Sequence, residues 1–257
     1  MKGLTNRVAV VTGGGSGIGE AICLRLAEEQ VDLSIFDQNR SGAERVASAC
    51  HALNVRTHVE VLDIADYGAV RAAVDRTEVA LGEVAILINC AGWDKMVPFI
   101  QTDEVLHDKV IATNLKGPVN LMHVVAPRMA QRNFGRVVSI SSDAGRVGSS
   151  GQAVYSACKA GVAALSKTLA REFARNGLTF NTVAPGPTST PMMEAALAGG
   201  DGEAGSKILQ KMAKAIPLRR IGVASDVAGI VVFLVSEEAN FITGQIISVS
   251  GGLTMQG

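Results

Sequence analysis

The chain has 257 residues, carries 24 basic and 24 acidic side chains, and is 47% hydrophobic but only 4% aromatic. A chain of this length buries a sizeable aliphatic core, and its zero formal charge gives no reason to expect nucleic acid or an anionic membrane as a partner. It has no apolar run of about 18 residues, no signal-peptide pattern, and four cysteines without metal-ligand or disulfide spacing. We therefore expect a soluble, cytoplasmic protein with reduced thiols and no bound metal.

Short apolar runs alternate with amphipathic stretches along the whole chain. The predicted strands are 7–11, 31–36, 55–62, 84–89, 135–140, 178–184 and 245–249. The predicted helices are 20–29, 41–53, 66–81, 102–133 with an interruption near 117–118, 155–175 and 225–236. This alternation is typical of βαβ units and a parallel sheet, and no linker or repeat divides it. We predict one doubly wound α/β domain over residues 1–257, with a mobile lid at about 190–216, where glycines break the helical pattern.

A glycine-rich turn, TGGGSGIG at 12–19, joins the first predicted strand to the first predicted helix. Gly13, Gly17 and Gly19 would let the backbone approach a pyrophosphate at the N-terminus of that helix. The spacing is G-x-x-x-G-x-G, and such a turn alone is often only a tight loop. Its context favours a dinucleotide, because Asp37 ends the second strand about 20 positions later, where a carboxylate accepts hydrogen bonds from ribose hydroxyls.

The residues around Asp37 favour NAD over NADP. The carboxylate would repel a 2′-phosphate, and Ser16 supplies no compensating cation, although Arg40 lies nearby in the sequence. Asp63, at the end of the third strand, either meets the adenine or caps the following helix. Asn89 either lines the cofactor or stabilises a turn. The sequence leaves both of these choices open.

Tyr155 and Lys159 lie four residues apart at the start of a predicted helix. Both side chains therefore project from one helical face, with Cβ atoms about 5–6 Å apart. A tyrosine normally titrates at about 10, and an adjacent ammonium lowers its pKa toward the range that suits acid–base catalysis. Ser142, at the end of an apolar run, could hold the same substrate oxygen. Taken alone this pair is a weak signal, since surface tyrosine–lysine pairs are usually inert.

Seven separated motifs occur together and in order: TGGGSGIG at 12–19, Asp37, NCAG at 89–92, Asn114, Ser142, the Tyr155/Lys159 pair and PGPTST at 185–190. In this combination and spacing the chain resembles the short-chain dehydrogenase/reductase family over essentially its whole length. The resemblance implies a Rossmann-type domain with a seven-stranded parallel sheet, a nicotinamide dinucleotide as cofactor and, usually, a homotetramer. One departure is Cys90, where members of the family often have a second asparagine.

The resemblance also implies roles for individual residues. Tyr155 would move a proton to or from the substrate oxygen that Ser142 holds, while Lys159 lowers the pKa of Tyr155 and binds the nicotinamide ribose. Asn114 would hold a water that links Lys159 to solvent; from the residues alone, a buried amide bonded to backbone is the preferred interpretation. The implied dinucleotide-binding residues are Gly13, Ser16, Gly17, Ile18, Gly19, Asp37, Asp63, Ile64, Asn89, Ala91, Gly92, Tyr155, Lys159, Pro185, Gly186, Thr188 and Thr190, with the two threonines near the nicotinamide carboxamide.

The substrate is less sharply indicated. Stretches 91–99, 141–159 and 241–255 resemble the branch of the family that acts on 2-hydroxycyclohexanecarboxyl-CoA. The overall pattern is equally similar to the 3-oxoacyl-acyl-carrier-protein reductases and less closely similar to dihydrodiol dehydrogenases. Reductases of the carrier-protein branch use two arginines beside the active-site mouth, at places that fall here on Asn133 and Asn176.

We therefore expect an NAD-dependent enzyme that interconverts a secondary alcohol and a ketone in a β-hydroxyacyl-CoA or small alicyclic hydroxy compound. Trp93, the single tryptophan, either walls the substrate pocket or packs against the next helix. A non-catalytic dinucleotide sensor is the alternative from another functional class. Such proteins typically lose the tyrosine or the lysine, and this chain keeps both.

Overall fold

Seven parallel strands form the centre of the computed structural model, which describes residues 1–197 and 202–255. In chain order they are β1 Val8–Thr12, β2 Asp32–Phe36, β3 Thr57–Glu60, β4 Val84–Asn89, β5 Gly135–Ile140, β6 Leu178–Pro185 and β9 Ile246–Val249. Their order across the sheet is β3-β2-β1-β4-β5-β6-β9, so the strand order reverses between β1 and β4. The carboxyl edge of the sheet at such a reversal is where ligands bind in this type of fold.

The five inner strands, β1, β2, β4, β5 and β6, are buried on both faces, as expected for a parallel sheet covered by helices, while the edge strands β3 and β9 are only partly buried. In β1 the side chains alternate, with Ala9 and Val11 in one hydrophobic cluster and Val8 and Val10 in the other. Because successive strand residues point to opposite faces, a short aliphatic run feeds both layers of the core. The prediction of a doubly wound α/β fold with a seven-stranded parallel sheet is confirmed.

Helices cover both faces of this sheet. They are α1 Gly17–Glu28, α2 Arg40–His51, α3 Tyr67–Leu81, α4 Glu104–Ile111, α5 Gly117–Gln131, α6 Ala144–Val147, α7 Ala153–Glu172, α8 Pro191–Leu197, α9 Gly202–Ala215 and α10 Ala224–Val235. Single 3-10 turns lie at Phe99–Gln101, Ala174–Asn176 and Glu237–Ala239. Buried residues of α1, α2 and α10 share one hydrophobic cluster, and those of α3, α5 and α7 share the other.

The long helix predicted over 102–133 is divided into three pieces. A π-helical segment, Ala112–Lys116, separates α4 from α5, so the irregularity begins before the predicted position at 117–118. Pro118 has no N–H and cannot donate to the carbonyl of Asn114 four residues earlier, which explains why the α-helical ladder fails there. Instead the N–H of Gly117 bonds to the carbonyl of Ala112.

Short elements near the carboxyl edge were not predicted. β7 Thr188–Ser189 pairs in parallel with β8 Gly222–Val223, and α6 follows β5 directly. The predicted lid at 190–216 contains α8 and α9, while its residues 198–201 lie outside the described part of the chain. All four cysteines are unpaired. Within the described ranges, no helix is long and apolar enough to cross a bilayer, and no group of three acidic, histidine or cysteine side chains could hold a metal ion.

Candidate active site

A cavity of about 1320 Å³ opens at the carboxyl edge of the sheet, where the strand order reverses. One end of its lining contains the glycine-rich turn and Asp37, and the other contains Ser142, Tyr155 and Lys159. These residues come from the ends of β1, β2 and β5 and from α7. The fold thus brings two motifs that are more than a hundred positions apart onto one continuous surface.

The glycine-rich turn packs so closely that side chains would not fit. Gly13 has φ +64°, and a Cβ atom there would lie 2.7 Å from the Cα of Ala91. A Cβ atom on Gly19 would lie 2.1 Å from the carbonyl oxygen of Gly13. The turn leads into the N-terminus of α1, a position that favours negative charge. This cradle fits the pyrophosphate of a dinucleotide.

Asp37 is held in place by two backbone donors. Its Oδ2 accepts from the N–H of Gly15 at 2.9 Å, and its Oδ1 accepts from the N–H of Asn39 at 2.8 Å. A carboxylate has about four lone-pair sites, so acceptor capacity remains for the two hydroxyls of a ribose. The nearby Arg40 instead pairs with Glu44 at 3.3 Å, and both side chains are exposed.

Asp63 and Asn89, two residues predicted to contact the cofactor, form hydrogen bonds within the protein. Asp63 lines the cavity, and its Oδ1 accepts from the N–H of Ala65 at 2.9 Å. The cap of α3 is Asp66, so the helix-capping alternative for Asp63 is wrong. Asn89 lies outside the described lining of the cavity: it is buried and donates to the hydroxyl of Ser139 at 3.4 Å.

Most of the other predicted binding residues are found on the cavity surface. Those that line it are Gly13, Ser16, Gly17, Ile18, Gly19, Asp37, Asp63, Ile64, Ala91, Gly92, Tyr155, Lys159, Pro185, Gly186, Thr188 and Thr190. The hydroxyl of Thr188 donates to the carbonyl of Gly186 at 2.9 Å, and the hydroxyl of Thr190 accepts from the N–H of Met193 at 3.3 Å. The two threonines therefore stabilise the turn that follows β6.

Tyr155 and Lys159 are both buried on the inner face of α7, with 7% and 4% of their surfaces exposed. The Nζ of Lys159 donates to the carbonyl of Ile140 at 3.0 Å, and the hydroxyl of Ser141 donates to the carbonyl of Lys159 at 2.9 Å. These two bonds tie the helix to the end of β5. The hydroxyl of Ser142 accepts from the N–H of Ala144 at 3.1 Å and is hydrogen-bonded to Tyr155.

The pKa of Tyr155 departs from the expected direction. Burial raises this pKa well above its usual range, the negative charge of Asp94 raises it further, and only the hydrogen bond to Ser142 lowers it. The expectation that Lys159 lowers the pKa of Tyr155 is not met in this structure, because desolvation of the phenolate dominates. Burial also lowers the pKa of Lys159 to about 8, so its ammonium form is itself destabilised.

Asn114 lies in the π-helical segment, and its side chain is fully buried. Its Nδ2 donates to the carbonyls of Trp93 at 2.6 Å and Val110 at 2.9 Å, and its Oδ1 accepts from the N–H of Trp93 at 3.4 Å. The side chain of Asn114 thus hydrogen-bonds to backbone groups, which agrees with the interpretation preferred from the residues alone. A Cβ atom on Gly92 would lie 3.1 Å from this Oδ1 and 3.4 Å from the Nζ of Lys159, so Asn114 and Lys159 approach the same glycine.

Three further residues at the site were missed by sequence reasoning. The hydroxyl of Thr12 accepts from the N–H groups of Cys90 at 3.0 Å and Ala91 at 3.1 Å, which fixes the loop after β4 against the glycine-rich turn. Asp94 and Gln152 line the cavity and are hydrogen-bonded to each other at 2.7 Å. A threonine that ends a strand is a usable signal, whereas nothing in the sequence pairs Asp94 with Gln152.

Comparison with known proteins agrees with this geometry. A family model described as "Enoyl-(Acyl carrier protein) reductase" matches residues 13–254. The chain is 37% identical over 251 residues to the 3-oxoacyl-[acyl-carrier-protein] reductase FabG of Staphylococcus epidermidis, a match that covers 97% of this chain and 100% of that relative. This chain belongs to the short-chain dehydrogenase/reductase family.

Two other comparisons extend across the same length. The acetoacetyl-CoA reductase of Cupriavidus necator is 37% identical over 253 residues, covering 98% of this chain and 100% of the relative. The crystal structure of an NAD⁺-bound xylitol dehydrogenase superposes with a TM-score of 0.92 at 28% identity, covering 98% of this chain and 100% of that one. Short-chain dehydrogenases/reductases are oxidoreductases that act on CH–OH groups with a nicotinamide dinucleotide, and this chain is an enzyme of that class.

Trp93 satisfies both interpretations of a tryptophan at this place in a short-chain dehydrogenase/reductase. It lines the cavity, and it also packs against a small hydrophobic cluster that includes Val110 and Tyr155. The ammonium of Lys109, on α4, lies 3.9 Å from the centre of its ring. Trp93 is therefore a wall of the cavity that α4 holds in place.

The positions proposed for carrier-protein contacts lie far from the cavity within one chain. Asn133 precedes β5 and Asn176 precedes β6, so both are at the amino edge of the sheet. A strand of six residues is about 20 Å long, which separates them from Ser142 after the other end of β5. Arg132 does not replace them, because it donates to the carbonyl of Val84 and pairs with Glu78.

Proposed function

We propose that this chain is an NAD-dependent dehydrogenase/reductase that interconverts a secondary alcohol and a ketone. The observation that carries the proposal is the joint placement of Ser142, Tyr155 and Lys159 at one end of a cavity whose other end holds Asp37. A bound dinucleotide would supply or accept the hydride. Tyr155 moves the proton of the substrate oxygen, Ser142 orients that oxygen, and Lys159 ties the helix of Tyr155 to the end of β5 through the carbonyl of Ile140.

NAD is the cofactor that the residues support over NADP. Asp37 would repel a 2′-phosphate, and Arg40 is engaged by Glu44. The NAD⁺-bound xylitol dehydrogenase supports the same choice. The deciding assay compares kcat/KM with NADH and NADPH for one substrate. A preference for NADPH would overturn the proposed role of Asp37.

The substrate class we propose is a β-hydroxyacyl-CoA or small alicyclic hydroxy compound, such as 2-hydroxycyclohexanecarboxyl-CoA. Beyond Tyr155 the lining is largely apolar and rich in methionine: Trp93, Met96, Val147, Met192, Met193, Met212, Leu253 and Met255. Methionine adapts its shape to apolar groups, so such a surface suits a ring or a short acyl chain. The acetoacetyl-CoA reductase relative provides a precedent for a thioester substrate.

A 3-oxoacyl-acyl-carrier-protein reductase is the second candidate, favoured by 37% identity to a reductase of that name. Against it stands the absence of arginine at positions 133 and 176, which lie at the amino edge of the sheet and would serve only the cavity of another subunit. The test presents one acyl group on CoA and on carrier protein and compares kcat/KM for the two. A clear preference for the carrier protein, strongest at low salt, would favour this candidate, because electrostatic steering weakens as salt increases. If no thioester, diol or alicyclic alcohol is turned over, the non-catalytic dinucleotide sensor is the function that remains.

The remaining proposals concern the domain, its location in the cell and its substrate lid. We infer that residues 1–257 act as one dinucleotide-binding domain in the cytoplasm, with the region 190–216 as a lid over the substrate. Met192 and Met193 on α8 and Met212 on α9 line the cavity, which supports the lid. Opening and closing of this segment is measurable by hydrogen exchange with and without NADH, and unchanged protection would argue against a lid.

A further inference from the structure

The substrate end of the cavity contains a carboxylate that the proposed chemistry does not use. Asp94 follows Trp93 in the loop after β4, is half-buried and lines the cavity. Its Oδ2 accepts from the Nε2 of Gln152 at 2.7 Å. Gln152 directly precedes α7, one helical turn before Tyr155, so this clamp positions the carboxylate beside the reacting group.

The carboxylate acts on Tyr155 through space. Its negative charge is the largest cause, after burial, of the raised pKa of Tyr155. Burial likewise raises the pKa of Asp94, while Gln152, the N–H of Lys95 and the charge of Lys159 favour its ionised form. Asp94 and Tyr155 line the same cavity, and Asp94 is tied to Gln152, one helical turn before Tyr155, so both side chains can contact one small substrate.

The charges around the cavity favour substrates whose acyl end carries no charge. Its described lining carries the carboxylates of Asp37, Asp63, Asp94, Asp108 and Asp143 and the ammonium groups of Lys109 and Lys159. Neither lysine is directed to a substrate carboxylate, since Lys109 lies over the Trp93 ring and Lys159 donates to the carbonyl of Ile140. A free carboxylate bound beside Asp94 would face like charge in a partly desolvated pocket, which is strongly unfavourable.

We propose that Asp94 is a specificity-determining residue that rejects free hydroxy acids and admits the corresponding thioesters, esters and amides, whose acyl carbonyl group carries no charge. The inference rests on the proposed function and narrows it, because it states that the acid must be activated before this enzyme acts on it. Gln152 contributes by holding the carboxylate and by offering its second N–H to the carbonyl of the neutral group. The reaction that supplies the substrate is therefore an acid–thiol ligation or another thioester-forming step.

The experiment measures binding, not turnover. Cyclohexanecarboxamide and cyclohexanecarboxylate share one ring and differ in charge, and their affinities for the NADH-loaded enzyme are measured by calorimetry. We expect wild type to bind the amide at least about tenfold more tightly than the carboxylate. Asp94→Asn should reduce this ratio to about threefold or less, mainly through a gain in carboxylate affinity. The matched control is Asp108→Asn, which removes an exposed carboxylate from the same lining and should leave the ratio unchanged.

Three results would overturn the proposal. They are equal affinities of wild type for the two compounds, an unchanged ratio in Asp94→Asn, and binding of neither compound to wild type. The first and third results are measured on wild type, so the proposal can be overturned even if Asp94→Asn fails to fold. Failure of the proposed function is distinguishable, because it would appear as no turnover of any thioester while the preference for the amide persisted.

Discussion

Tyr155 carries the proton transfer, and the loss of its hydroxyl should remove acid–base catalysis while leaving the cavity intact. We expect Tyr155→Phe to lower kcat at least about 10²-fold, the usual contribution of a general acid–base group. The affinity for NADH should change little. The other tyrosine of the chain, Tyr67, is exposed and hydrogen-bonds to His123, so Tyr67→Phe is the matched control. Near-wild-type turnover of Tyr155→Phe would remove this residue from the mechanism.

Asp37 is the residue on which cofactor choice should depend. Asp37→Ala removes both the acceptor for ribose hydroxyls and the repulsion of a 2′-phosphate. The ratio of kcat/KM for NADH to that for NADPH should therefore fall, chiefly through a higher KM for NADH. Asp37→Asn retains one acceptor for the backbone N–H groups and controls for damage to the turn. An unchanged ratio in both variants would show that cofactor choice lies elsewhere.

Lys159 should make the stability of the protein depend on pH. Its pKa is lowered by burial to about 8 from an ordinary value of 10.5, so between these values the unfolded chain binds more protons than the native protein. Stability from this group therefore rises with pH. The buried thiols act in the opposite sense, because burial raises their pKa.

The difference between wild type and Lys159→Met cancels the contributions of Cys23 and Cys50, whose pKa shifts do not involve Lys159, while Cys90 and Cys158 respond to its charge. Relative to the variant, wild type should gain roughly 2 kcal/mol in free energy of unfolding between about pH 7.5 and 9.5. Urea denaturation at the two pH values measures this gain. A difference that does not change with pH would mean that the ammonium of Lys159 is not destabilised by burial.

Elements with strong local patterns were predicted well from sequence. The predicted bounds of β4 and β5 agree with the structure, because each is a buried strand of six residues between clear breaks. The π-helical segment was predicted only as an irregularity, since Gly117 and Pro118 signal disruption but not its form. β7 and β8 are two residues each and have no periodicity, so only tertiary pairing creates them.

In the candidate site, too, only residues that belong to a local or family pattern were predicted. Tyr155, Lys159 and Ser142 were found because their spacing is a property of one short stretch and of a family pattern. The contact between Asp94 and Gln152 joins positions 58 residues apart, and no local pattern encodes it. The pKa of Tyr155 was predicted in the wrong direction because desolvation depends on burial by the whole fold, whereas the four-residue spacing reveals only the neighbouring lysine.

At the scale of the whole molecule, several apolar side chains remain uncovered in the isolated chain. Val105 and Ile111 are exposed on α4 and Val119 is exposed on α5, and Phe241 and Met255 are exposed in the apolar C-terminal stretch. Exposed apolar surface of this kind marks contacts with other chains. The resemblance to the family implies that the helices around 103–131 and 155–175 pair across twofold axes. We therefore propose a homotetramer with closed symmetry.

Light scattering at micromolar concentration should give about four times the 26.7 kDa mass of the chain. Val119 lies on α5 with 39% of its surface exposed, and Val119→Asp should reduce the measured mass, because an unpaired charge buried between two paired helices is desolvated on assembly. The matched control is Val79→Asp on α3, where the valine is 89% exposed and lies outside the proposed interface. A monomer mass for wild type would refute the tetramer, and equal masses for wild type and Val119→Asp would move the interface away from α5.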